Sequence, residues 1–181
     1  MDKLVRMDLY RYSKQTGFAA FIRCFFSNPG FRFVYVMRIC KATSIYNPIG
    51  IIFRIYFRAL RVKFGYQIPF RTKIGGGFVL GHFGNIIVNQ MVVIGENCSV
   101  AQGVTIGIVS RGVKKGSPVI GNRVWIGPNA VVVGNIKIGN DVLIAPLSYV
   151  TEDIPDNAVV AGNPAKIINY NGSKGYIKWI S

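Results

Sequence analysis

The chain has one histidine, His82, in the run LGHFGN. Imidazole is the side chain whose ordinary titration falls near neutrality, so placed beside a hydroxyl it can take the proton and leave a competent oxygen nucleophile. An isolated histidine also serves purely structural ends, and its type alone does not choose between the two. Asn85 follows three residues later, in reach of a hydroxyl-bearing acceptor or free to make a turn. The cysteines Cys24, Cys40 and Cys98 are odd in number and scattered. They read as buried free thiols in a reducing compartment rather than as a disulfide framework. Cys98 is a conceivable acyl-enzyme nucleophile, but it lies on the side of a repeat, where core packing is the ordinary use of a thiol. With a single histidine and no cysteines at ligand spacing, no metal site is expected. Lys166 is a point charge suited to a phosphate, and Arg111, Lys114 and Lys115 cluster in one glycine-rich stretch.

Something must position these groups, and the sequence divides near residue 66. Segments 16–26, 31–44 and 48–64 read as helices, separated by Asn28-Pro29-Gly30 and by Asn47-Pro48. In the third, Ile51, Ile52, Ile55, Phe57 and Leu60 alternate with Arg54, Arg58, Arg61 and Lys63. That pattern describes an amphipathic helix packed on its neighbours or a basic helix lying on a membrane surface. From residue 68 a six-residue rhythm takes over. Ile74, Leu80 and Ile86 are six apart, as are Ile94, Val100 and Ile106, and then Ile120 through Val150. The following residue is Gly or Ala at nine of these twelve positions. A period of six fits neither an α-helix nor a simple alternating strand. It fits a three-sided coil of short strands, one aliphatic residue pointing inward per side and about 18 residues per turn. The rhythm breaks twice, by two residues between Ile86 and Ile94 and by eight between Ile106 and Ile120. Insertions in a solenoid leave the core as loops, often on the binding face.

Bulk properties agree with one folded domain plus an extension. Half of the 181 residues are hydrophobic and 16% are charged, which excludes global disorder. The uncharged stretch 74–95 carries too many glycines and amides for a bilayer helix and reads as β structure; the charged N-terminus lacks the apolar centre of a signal peptide. The net charge of +15 is uneven: residues 1–73 hold 14 Lys/Arg against 2 Asp/Glu, and the remainder 8 against 5. A basic N-terminal surface attracts anionic lipid or acidic polymers. Nucleic-acid binding would rest on charge alone, with no recognised motif, and is not expected.

Over about residues 66–168 the pattern resembles the left-handed β-helix acyltransferases of the hexapeptide family. It is most similar to serine acetyltransferases and to related O-acetyltransferases of surface-polysaccharide assembly. The resemblance rests on LGHFGNIIVN (80–89), VIGENCSVAQGVTIG (93–107), VIGNRVWIGPNAVVVGNIKIGNDVLIAPLSYVTEDIP (119–155) and VAGNPAKII (160–168), the stretch from Trp125 through AGNPAK being the most specific; DLYRY at 8–12 adds a weaker likeness. It implies an all-β left-handed parallel β-helix over 66–168 with a protruding loop at 107–119. A basic, aromatic-rich α-helical region over 1–65 precedes it, and a tail over 169–181 follows. It further implies a homotrimer with acetyl-CoA in the groove between neighbouring prisms and His82 as the catalytic base. Gly127, Ala130, Ala145, Thr151 and Lys166 would bind the acyl donor, while Asn85 and Arg111 would face the acceptor. Two positions depart from serine acetyltransferases. Gln67 stands where they carry an aspartate paired with the histidine, and Ser117 stands near the place of a second histidine. Both favour a sugar or glycan hydroxyl as acceptor, and the basic, aromatic N-terminal region is expected to hold the cytoplasmic protein near the inner face of a membrane. Serine O-acetylation and a non-enzymatic trimeric scaffold at a membrane surface are the alternatives.

Overall fold

The computed structural model describes residues 1–180 and shows four helices followed by a three-faced parallel β-helix. Helix α1 (Lys3–Ser13) is capped by Asp2, whose carboxylate accepts from Leu4 N–H at 3.2 Å. The sequence reading placed no helix there. Helices α2 (Phe18–Ser27), α3 (Pro29–Ala42) and α4 (Pro48–Phe64) match the three expected segments. Asn28-Pro29, read as a separator, is the start signal of α3: Asn28 Oδ1 accepts from Phe31 N–H, and Pro29 supplies the first helical residue. Asn47 caps α4 in the same way, and Gly65 (φ 72°) turns the chain out of it in the left-handed conformation.

The strands stack on three faces. The first holds β1 (Tyr66–Gln67), β4 (Ile86–Val88), β7 (Thr105–Gly107), β10 (Val131–Val133) and β13 (Tyr149–Val150). The second holds β2 (Lys73–Ile74), β5 (Val93–Ile94), β8 (Val119–Ile120) and β11 (Lys137–Ile138). The third holds β3 (Val79–Leu80), β6 (Ser99–Val100), β9 (Trp125–Ile126), β12 (Leu143–Ile144) and β14 (Val159–Ala161), closed by antiparallel β15 (Lys166–Asn169). The coil winds left-handed. On the second face the partners Lys73, Val93, Val119 and Lys137 lie 20, 26 and 18 residues apart, an 18-residue coil enlarged first by two residues and then by eight.

The register moves the smaller insertion. Val88, not Ile86, pairs with Ile106, so the two extra residues fall between Leu80 and Val88, in the corner that carries His82. Ile86 instead fills a second inward position, two residues earlier, which Val104, Ala130 and Ser148 fill in the coils below. The glycines after the inward residues serve close approach between coils. A Cβ on Gly95 would stand 2.5 Å from Gly121 O, and one on Gly121 would stand 2.7 Å from Gly139 O. Turning falls on other residues, the left-handed Gly77, Asn97, Arg123, Asp141 and Asn157, which stack at the corner between the second and third faces.

One hydrophobic core runs from Phe33 in α3 through the prism to Val160. Tyr66 plugs the top of the prism, 1% exposed, with its ring 4.8 Å from Phe33. The helices are thus the lid of the β-helix core, sharing its apolar interior.

Candidate active site

Helix α1 reaches the prism with polar side chains. Asp8, Arg11 and Tyr12, at i, i+3 and i+4, share one face. Asp8 Oδ1 accepts from Phe78 N–H at 3.0 Å, Arg11 Nε donates to Gly77 O at 3.1 Å, and the Tyr12 hydroxyl accepts from Leu80 N–H at 2.7 Å. Arg38 of α3 grips Asp8 and the carbonyls of Ile74 and Gly75. Gly30 lets α3 press directly on Leu80 O, where a Cβ would not fit. Together these contacts fix residues 74–80, the segment that leads into His82. Beyond it, Gly84 N–H donates to Phe64 O at 2.9 Å and Ile86 N–H to Gly65 O at 3.1 Å. The His82 corner is therefore clamped on both sides by helical residues, while the histidine itself is exposed. Among the described residues no protein group hydrogen-bonds its ring, and Gln67, on β1, is exposed.

The third-face register sets Gly81, Ala101, Gly127, Ala145 and Ala161 one below another at the edge of that face. The amides of Ala101, Gly127 and Ala145 bond to the coil beneath at 3.0, 2.8 and 2.8 Å. Four coil steps of about 4.8 Å give a smooth column about 19 Å long. His82 stands at its head, and Lys166, exposed on β15 in register with Ala161, at its foot. Of the residues expected to bind the donor, Gly127 and Ala145 lie on this column. Ala130 does not: its side chain is fully buried in the prism, and its N–H and C=O are engaged with Gly127 and Thr105. Thr151 follows β13 at the far edge of the first face, the edge from which loop 107–119 springs.

That loop folds as a short ribbon. Val109 and Gly116 exchange backbone bonds at 3.0 and 2.9 Å, Lys114 O accepts from Asn135, and Lys114 Nζ lies 2.9 Å from Glu152. Arg111 is exposed on it, and Asn85 is exposed within the His82 corner. Within one chain the first face separates Arg111 and Thr151 from His82. Ser117 is half-buried, its hydroxyl without a protein partner.

Cys98 fills the second inward position of its coil with no exposure, its thiol donating to Gly121 O at 3.1 Å. Burial pushes its pKa up to about 12, the reverse of an activated nucleophile. Cys24 and Cys40 are buried too. Treating the folded protein with a thiol-directed alkylating reagent at pH 8 is therefore expected to label almost none of the three cysteines, and denatured protein all three, as counted by intact mass. Rapid native labelling of Cys98 would contradict this packing.

A parallel coil of three faces, stacked from short strands with one aliphatic residue turned inward on each side, defines the hexapeptide-repeat fold class. A family model described as bacterial transferase hexapeptide (six repeats) matches residues 117–152. The chain belongs to this hexapeptide-repeat family. It is 36% identical over 121 residues to the putative colanic acid biosynthesis acetyltransferase WcaB of Escherichia coli, covering 66% of this chain and 72% of that protein. It is 30% identical over 145 residues to a serine acetyltransferase of Synechococcus elongatus, covering 80% and 59%. Among solved structures, serine acetyltransferase of Brucella abortus in complex with coenzyme A superposes with a TM-score of 0.77 at 27% identity, covering 93% of this chain and 68% of that one. The chain spans only 30% to 59% of the length of the first serine acetyltransferases it matches.

Proposed function

We propose that the protein is an acetyl-CoA-dependent O-acetyltransferase that acetylates a hydroxyl of a sugar or glycan precursor, with His82 as general base. The observation that carries this reading is the clamped corner presenting His82 at the head of the Gly81–Ala161 column. The thioester supplies an activated acetyl group. His82 takes the proton of the acceptor hydroxyl as its oxygen forms the new C–O bond, and returns it to the sulfur as the C–S bond breaks, so the imidazole ends as it began. Backbone N–H groups beside the column would meet the developing oxyanion. Gly127, Ala145 and Lys166 would hold the donor along its length, with Ala130 contributing through the coil alone.

Three copies of the chain would complete the site. Thr151 and the Arg111 loop sit on the other edge of the first face, so they would meet a His82 corner across a groove between neighbouring prisms. Light scattering is expected to give three times the 20.0 kDa chain mass. Residues 1–65 would rest against an anionic membrane: Phe18 and Phe26 of α2 are 81% and 70% exposed beside many cations, although among the described residues no helix is long and apolar enough to cross a bilayer.

The sugar reading is supported by the neutral Gln67 and by the similarity to WcaB. The serine reading is supported by the serine acetyltransferase relatives. Purified protein with acetyl-CoA and millimolar L-serine is expected to release little CoA, whereas glycan precursors release it. Fast release with serine would reverse the order.

A further inference from the structure

Between α4 and β1 lies a cavity of about 660 Å³ lined by Arg54, Arg58, Arg61, Gln67 and Phe70, with no carboxylate in its wall. Residues 9–95 contain no Asp or Glu at all. The ion pairs among the described residues use only Asp8, Asp141 and Glu152, so Arg58 and Arg61 have no acidic partner. Arg54 places its terminal nitrogens on the carbonyls of Cys40, Thr43 and Ser44, but its Nε and that of Arg61 are buried without a protein partner. Arg58 and Arg61, three apart on α4, are neighbours on the helix surface. Planar guanidinium groups in this arrangement suit the several oxygens of a phosphate. The cavity abuts the candidate active site, because its wall residue Gly65 packs on Gly84, two residues from His82. On its other side, toward the start of α4, Ile51 and Ile55 form a short exposed aliphatic row in line with Arg58, 46% and 67% exposed.

Resting on the acetyltransferase reading, we infer that this cavity holds the phosphate of a phosphate-linked sugar acceptor. The sugar points toward the His82 corner, and an apolar carrier of the phosphate lies along Ile51 and Ile55. Phosphate, sugar and carrier then meet basic cavity, imidazole and aliphatic row in that order.

Calorimetry at low salt with inorganic pyrophosphate as probe tests the site without any acetyl transfer. Wild-type protein is expected to bind saturably, and so is His82→Ala, which separates this site from the catalytic proposal. The Arg58→Gln/Arg61→Gln double variant should bind about 100-fold more weakly, some ten-fold for each lost charge-assisted contact. Gln67→Glu, which brings a carboxylate to the wall, should also weaken binding without removing either arginine. Unchanged affinity in these variants overturns the site. Competition by coenzyme A would assign the cavity to the donor's phosphates and overturn the acceptor assignment. Equal binding of glucuronate would overturn the preference for phosphate. Farnesyl phosphate should bind more tightly than inorganic phosphate, and Ile51→Ser/Ile55→Ser should abolish that difference; no difference in wild type removes the carrier from the proposal.

Discussion

Replacing His82 with alanine is expected to slow acetyl transfer by about 10²–10⁴-fold, the usual contribution of a positioned general base. CoA release from acetyl-CoA in the presence of the best acceptor, followed by thiol colorimetry, measures it. The same variant should keep its melting temperature, because the ring is exposed and no described residue hydrogen-bonds it. That combination separates a catalytic imidazole from a structural one. A structural histidine would lose stability and activity together, and full activity in the variant would end the mechanism. His82→Asn sharpens the comparison, since an amide keeps polarity and much of the volume but cannot accept a proton at neutral pH. Michaelis constants for the donor should change little in either variant, because the column that would hold it begins beyond His82 and is built from backbone and small side chains.

Much of this site could be read from the residues, and the parts that could not have physical reasons. The coil was legible because each side must bury one aliphatic residue, so the period is imposed by the interior. It misled at Ile86 because the enlarged His82 corner delivers two inward residues, Ile86 and Val88, and a count of six lands on the first. The donor residues were placed by family likeness, which carries a residue but not its face. Gly127 and Ala145 fall in register on one column, whereas Ala130 points inward and Thr151 stands on another edge. Helix α1 escaped because its buried residues are mixed: Asp8 and Arg11 lie among Val5, Met7 and Leu9 and break the apolar stripe that marks a packed helix. The clue was the spacing of Asp8, Arg11 and Tyr12 within DLYRY, three hydrogen-bonding groups on one helical face with nothing nearby in sequence to satisfy them. The cavity beside Gln67 was only half legible. The absence of acids from residue 9 through residue 95 is visible in the sequence, but only the packing of α4 on β1 gathers Arg54, Arg58 and Arg61 around one space.

Arg38→Met should destabilise the fold by about 3–5 kcal/mol in urea denaturation, since it leaves a buried carboxylate without its partner. Arg38 and Asp8 are 6% and 1% exposed, with Nε to Oδ2 at 3.0 Å. Burial already raises the Asp8 carboxyl above its ordinary value of 3.8, and the Arg38 charge opposes that rise. Removing the arginine leaves burial opposed only by the backbone bonds from Phe78 and Gly77, so the carboxyl rises further and the folded variant retains a proton that the unfolded chain releases near pH 4. A group with a raised folded pKa stabilises below the unfolded value and loses that contribution as pH climbs. The deficit of Arg38→Met should therefore be largest near neutrality and shrink as pH falls toward 4. Asp8→Leu added to Arg38→Met should recover part of the loss, because an apolar pair leaves no buried charge, although Phe78 N–H then loses the carboxylate that accepts from it. The effect should also reach catalysis below the melting point. Asp8 and Arg38 tie α1 and α3 to residues 74–78, and Tyr12 carries the same tie to Leu80, so loosening the knot frees the strand that aims His82. Transfer activity in Arg38→Met should fall while coenzyme A binding, which depends on coils farther down the prism, persists. A variant that kept both full stability and full activity would show that the helices are ornaments on the β-helix rather than the frame that holds its histidine.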